Sequence, residues 1–147
     1  MCGIVGIYLK TKKYEKHLGK FLSGMLDGMA TRGPDSAGFA IYTKENKNIF
    51  KYSICLNDLK ETNFKKKLSK IIKKIKLTSY ADHVVLETSE KPAKIIDLLK
   101  REVPEVSLVG YGRSIEIFKQ IGNPKDVVKK FKLGDYSGTH GIGHTRM

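Results

Sequence analysis

The sequence predicts an α+β protein that carries a small inserted α/β segment, and three observations lead there. Short, β-rich apolar runs open the chain, one strongly amphipathic stretch spans residues 14–30, and from about residue 57 helical and extended patterns alternate. At 147 residues there is room for one domain with a real hydrophobic core. Residues 1–147 are therefore read as one domain, with residues 57–111 as an α/β insertion within it.

The elements follow in order. Residues 4–9 are short, apolar and preceded by Gly3, the pattern of a buried strand. Leu18, Phe21, Leu22, Met25, Leu26 and Met29 recur at helical intervals and predict an amphipathic helix over 14–30. Gly33-Pro34 stops it, in a loop over 31–35. Residues 37–43 read as a strand, 45–47 as a polar turn and 48–56 as the hairpin partner. A helix over 62–76, a strand over 83–87, a helix over 92–101 opened by Pro92, and a strand over 106–111 then give a βαβ rhythm. That rhythm implies parallel pairing. A short helix over 114–121, another over 124–131 and a Gly-rich loop over 134–141 complete the pattern.

Composition narrows the function. A hydrophobic fraction of 40% and a charged fraction of 29% suit an ordinary soluble protein. No apolar run approaches the roughly 20 residues that cross a bilayer, and the N-terminus lacks a basic leader and cleavage site, so a cytoplasmic protein without membrane partners is expected. The net charge of +13 invites a nucleic-acid reading. Yet the lysines of 65–76 (KKKLSKIIKKIK) lie opposite Leu68, Ile71, Ile72 and Ile75, as a solvated helix face would have them. No Arg cluster or aromatic platform accompanies them, so nucleic acid is not expected as a partner. The two cysteines are too few for a disulfide framework and lack metal spacing, so neither a metal nor a cofactor is expected. Cys55, in an alternating apolar stretch, reads as a small buried hydrophobe.

Cys2 differs. Removal of Met1 would leave a cysteine whose own α-amino group, with an ordinary pKa of about 7.7–8.0, is partly free base near neutral pH. One residue then carries both nucleophile and base. The thiolate attacks a carbonyl and the amine returns the proton to the leaving group. Gly3 permits close backbone approach, and the strand that follows anchors the terminus.

Met1-Cys2-Gly3-Ile4-Val5-Gly6-Ile7 resembles the opening of class-II (N-terminal-nucleophile) glutamine amidotransferases. Arg32-Gly33-Pro34-Asp35-Ser36-Ala37-Gly38 is similar to that family's second signature and Gly143-His144-Thr145-Arg146 to its third, in the family's order. Gly112-Arg113-Ser114, Gly138-Thr139-His140-Gly141-Ile142 and Met147 are most similar to the amidotransferase subunits related to glutamate synthase. Residues 45–110 carry no such signal.

The resemblance implies an N-terminal-nucleophile hydrolase αββα sandwich, incomplete in this chain, with Cys2 at the end of a central strand. It implies that glutamine is hydrolysed through a thioester on Cys2 and that ammonia passes to a synthase subunit or domain. Arg146 matches the residue that holds the glutamine α-carboxylate, for which a planar guanidinium is well suited. His144 and Thr145 would shape that loop, His144 in a structural role, and Arg32 and Gly33 match the loop beside the nucleophile. Asp35 reads equally as a turn residue or a site residue. The family also needs an Asn-Gly oxyanion pair, and the sequence has none; Asn123 precedes Pro124. Little glutaminase activity is therefore expected of these 147 residues alone, which read as a fragment or truncated product. The alternative is a non-catalytic amidotransferase-like subunit that binds a partner without hydrolysing glutamine.

Overall fold

A computed structural model describes residues 3–145. In chain order its elements are β1 (Ile4–Tyr8), α1 (Leu18–Gly28), β2 (Ser36–Tyr42), β3 (Phe50–Cys55), α2 (Glu61–Ser69), β4 (Lys76–Tyr80) and β5 (His83–Thr88). Then come α3 (Pro92–Glu102), β6 (Ser107–Gly112), β7 (Ile115–Ile121), α4 (Pro124–Lys130) and β8 (His140–His144). Short 3-10 turns cover Lys12–His17, Ala30–Arg32 and Leu133–Asp135. The result is an α+β protein with two antiparallel four-stranded sheets, and it divides into two compact units. One comprises the chain up to Lys44 with the chain from Ile117 onward; the other is Glu45–Glu116.

The first unit is built on a sheet of order β1-β8-β2-β7. β8 lies between β1 and β2 and pairs antiparallel with both, Ile142 facing Gly6 on one side and Ala40 on the other. β1, expected to be central, is thus an outer strand of the described sheet. Helix α1 covers one face. Leu18, Leu22 and Leu26, four residues apart, are fully buried, whereas Phe21 faces outward. A Cβ on Gly143 would lie 2.8 Å from Leu26 Cδ2, and one on Gly141 2.9 Å from Leu22 Cδ2. Glycine at alternate positions of β8 therefore lets the leucine ridge of α1 sit directly on the strand. Beside it, Phe39 stacks on Phe118 with centroids 5.1 Å apart, and Phe131 and Tyr136 close the aromatic cluster. Helix α4 starts with Pro124 at its first turn and Asn123 as its cap, Oδ1 accepting from the Lys125 amide at 3.0 Å. The other face of the sheet leaves Ile4, Tyr8 and Ile142 exposed.

The second unit has sheet order β4-β5-β3-β6. Its core gathers Tyr52, Ile54, Phe64, Leu68, Leu86, Ile95 and Leu98 from two strands and both helices. β5, α3 and β6 do form a βαβ unit, but β3 is inserted between the two strands and pairs antiparallel with each. Among the described residues the pairs β3–β5, β3–β6 and β4–β5 are all antiparallel, contrary to the expected parallel pairing.

Other expectations change as well. Residues 48–56 are not the partner of β2, because β3 pairs with β5 and β6 in the other sheet. The lysine-rich helix ends at Ser69, whose Oγ donates to the Lys66 carbonyl. Lys76–Tyr80 then becomes a strand, the ion pair of Lys76 with its cross-strand partner Glu87 (2.7 Å) supporting the pairing. Residues 114–121 form strand β7 instead of a helix, with Glu116 and Phe118 turned inward at the period of two. Of the expected loop 134–141, residues 136–139 are irregular, while a 3-10 turn covers Leu133–Asp135 and β8 begins at His140. The helix expected over 14–30 begins as a 3-10 turn and is α-helical only over Leu18–Gly28. Cys55 is half-exposed, its thiol donating to Asn57 Oδ1 at 3.3 Å, and so is not a core residue. Among the described residues, no helix is long and apolar enough to cross a membrane.

Candidate active site

Cys2 and Arg146 lie outside the described residues; their immediate neighbours lie inside. Gly3, which precedes β1, and Thr145, which follows β8, bond reciprocally. The Gly3 amide donates to Thr145 Oγ1 at 3.2 Å, and the Thr145 amide donates to the Gly3 carbonyl at 3.0 Å. The β1–β8 ladder is thereby extended one step beyond its last paired residues, Ile4 and His144. Thr145 is fully buried. Its hydroxyl satisfies an amide that would otherwise be buried without an acceptor.

The Arg32-Gly33 loop meets the same point. A Cβ on Gly33 would fall 1.9 Å from the Thr145 carbonyl oxygen and 2.9 Å from its Oγ1. The backbone angle of Gly33, φ −166°, is open to any residue, so glycine is required there by proximity alone. Arg32 itself is exposed, at the end of the 3-10 turn Ala30–Arg32, and its amide donates to the Met29 carbonyl at 3.0 Å. Asp35 is also exposed, and its carbonyl accepts from the Gly122 amide at 2.8 Å, which ties the start of β2 to the end of β7.

His144 ends β8 opposite Ile4 on one side and Gly38 on the other. Its Nε2 would be 2.9 Å from a Cβ on Gly38, so the ring lies over that glycine of the second motif. Met29 was read from sequence only as a helix-core residue. Its Cε would be 2.7 Å from a Cβ on Gly3, so it closes over the segment next to the nucleophile position. Helical spacing gave no hint of this, because the contact is made beyond the end of α1. Of the predicted residues, the fold thus sets Thr145 against the neighbour of Cys2 and Gly33 against Thr145, places His144 over Gly38, and leaves the Arg32 side chain facing solvent.

Chemically, the arrangement ties the residue after Cys2 to the residue before Arg146 through two hydrogen bonds. The second motif's Gly33 packs against the Thr145 backbone at the same place.

No family model matches the chain. Over its whole length it is 38% identical to "Glutamine amidotransferase-like protein GlxB" of Rhizobium meliloti (strain 1021), of which it covers 50%. It is 29% identical, over 99% of its length, to a "Putative glutamine amidotransferase" of Methanothermobacter thermautotrophicus, of which it covers 52%. The chain spans about half the length of these curated relatives. Similarity that runs through the whole chain to two proteins so named supports a place in a glutamine amidotransferase family.

Proposed function

We propose that the chain is the N-terminal part of a class-II glutamine amidotransferase in which Cys2, freed by removal of Met1, is the nucleophile. The observation that carries this is the convergence of the three motifs on one point: Gly3 bonded both ways to Thr145, and Gly33 in contact with the Thr145 backbone. The Cys2 thiolate would attack the side-chain carbonyl carbon of glutamine. As the tetrahedral adduct collapses, the C–N bond breaks and the proton held by the α-amine passes to the departing nitrogen, releasing ammonia. Water then cleaves the γ-glutamyl thioester to give glutamate and restore the thiol. Arg146 would hold the substrate α-carboxylate through two parallel N–H···O bonds. His144, lying over Gly38, orients the strand end, and Arg32 borders the entrance.

In the same proposal the first unit is one half of an αββα sandwich. Its sheet has α1 on one face, and the exposed Ile4, Tyr8 and Ile142 mark the other face as the one a second sheet would cover. The ammonia acceptor is a synthase domain or subunit of the glutamate-synthase type.

The alternative reading is an amidotransferase-like scaffold that binds a synthase partner without hydrolysing glutamine. Labelling separates the two. A diazo-ketone glutamine analogue should alkylate the chain once, at Cys2, as read by intact and peptide mass spectrometry, and Cys2→Ala should abolish the adduct. A chain with a free N-terminal cysteine that stays unlabelled would favour the scaffold.

A further inference from the structure

Cys55, Asp82 and His83 form a cluster that the amidotransferase reading does not use. The Cys55 thiol, a carboxylate oxygen of Asp82 and a ring nitrogen of His83 all lie within 4.8 Å of one another. Two strands and a turn bring them there. Cys55 ends β3 directly opposite His83, which begins β5, so both side chains leave the same side of the sheet. Asp82 sits in the tight turn between β4 and β5, and its carbonyl accepts from the Leu56 amide at 2.8 Å, fixing that turn to the end of β3. His83 Nδ1 is 3.0 Å from Asp82 Oδ1. The His83 side chain is 1% exposed.

A fourth oxygen is held in place beside them. The Asn57 side-chain amide donates from Nδ2 to the Glu105 carbonyl at 2.6 Å and to Ser107 Oγ at 3.2 Å. Those two bonds turn Oδ1 toward the Cys55 thiol, 3.3 Å away.

We propose that these four residues bind a zinc-class divalent cation. Zinc takes thiolate, imidazole and carboxylate ligands at about 2.3, 2.0–2.1 and 2.0–2.2 Å, and a tetrahedron of such bonds separates neighbouring donor atoms by roughly 3.3–3.7 Å. The present separations of 3.0 and 3.3 Å need only small outward adjustments. The cation replaces the thiol proton between Cys55 Sγ and Asn57 Oδ1, and that proton is released to solvent. It likewise replaces the hydrogen bond between His83 Nδ1 and Asp82, the imidazole staying neutral with its proton on Nε2. Calcium and magnesium do not suit the set, since they take oxygen ligands and only one carboxylate is present. With four protein donors the site is a structural one, stapling the end of β3, the loop that follows it and the turn between β4 and β5.

The test uses the full chain carrying Cys2→Ala, so that Cys55 is the only thiol. One equivalent of Co2+ should produce a thiolate-to-metal charge-transfer band together with d–d bands of four-coordinate intensity. Zn2+ should displace it and raise the melting temperature. Cys55→Ala should remove the charge-transfer band. Changes beyond the ligands themselves cost about 10- to 100-fold in affinity, so Cys55→Ala and Asp82→Ala should each weaken Zn2+ by more than about 100-fold. Both positions are half-exposed, and far-UV circular dichroism verifies that the variants fold. Absence of the charge-transfer band in the Cys2→Ala chain overturns the proposal, as does Zn2+ affinity unchanged in either variant.

Discussion

The hydroxyl of Thr145 is fully buried and is the acceptor for the Gly3 amide, so it holds the segment beside Cys2 to the segment beside Arg146. Thr145→Val keeps the shape of the side chain and removes the acceptor, leaving a buried N–H unpaired. We expect it to lower stability by about 1–3 kcal/mol in urea unfolding. Thr145→Ser retains the oxygen and should lose less than about half as much. Equal losses in the two variants would mean that methyl packing, not the hydrogen bond, explains the residue. Thr145 and Gly33 were legible in the sequence as members of motifs. Their contact was not, because a near approach between two backbones leaves no periodic signature; only the identity of Gly33 hinted at it. Cys55 was misjudged for a related reason. Alternating apolar neighbours placed it in a strand correctly, but it is the last residue of that strand, where the core gives way to a turn. Its grouping with Asp82 and His83 depends on the β3–β5 register, and no short spacing in the chain encodes that.

Between elements, the decisive contact is α1 on β8. The leucine ridge approaches the strand more closely than a side chain on Gly143 would permit, a Cβ there meeting Leu26 at three atoms between 2.8 and 3.1 Å. Gly143→Ala should therefore cost about 1–3 kcal/mol through overpacking. Leu26→Ala alone should cost about 2–5 kcal/mol through the cavity it opens. Combined, the two should lose less than the sum of their separate costs, since the new methyl group occupies part of that cavity. A double-mutant cycle by thermal or urea unfolding checks this, and strict additivity would refute the glycine-seat account. The same packing explains why β8 was read as loop: glycine has poor strand propensity, and here it is selected by the helix above it, with β1 and β2 supplying the pairing on either side. β4 was hidden inside a helical period for the converse reason. Its first residue, Lys76, continues the helical period of the lysines and isoleucines before it, whereas β5 offers the strand an edge and an ion pair. α3, α4, β2 and β5 were legible almost to their ends, the helices from their opening prolines and the strands from their short apolar runs.

At the scale of the molecule, the second unit has its own sheet, two helices and a separate core, so the segment Glu45–Glu116 should fold when expressed alone. We expect a single cooperative urea transition with a slope of about 1 kcal/mol/M; a gradual, non-sigmoidal loss of ellipticity would refute it. Its stability should also respond to alkali. Burial raises the phenols of Tyr52 and Tyr80 from 10.0 to about 12, with Tyr111 and Glu90 adding to the effect on the first and Glu116 and Glu87 on the second. Below pH 10 both are neutral, folded or unfolded, and their contribution is intact. Above it the unfolded phenols ionise first, so stability falls as the pH rises toward 12. Tyr52→Phe and Tyr80→Phe should flatten that decline. The existence of this region was legible from the onset of alternating elements near residue 57, but its limits were not. They are fixed by β3 and β6, which resemble any other strands until their partners are known. In the first unit, β2 and β7 are neighbours in an antiparallel sheet, with Asp35 bonded to Gly122 at one end. The position of β8 adds a matter of timing. β1 has no other strand partner in the described sheet, and β8 emerges from the ribosome after everything it joins. The inserted region can close on itself while β1 and β2 wait. During synthesis the nascent chain should therefore become protease-resistant in its middle first, and the ends that carry the proposed chemistry should be the last to find each other.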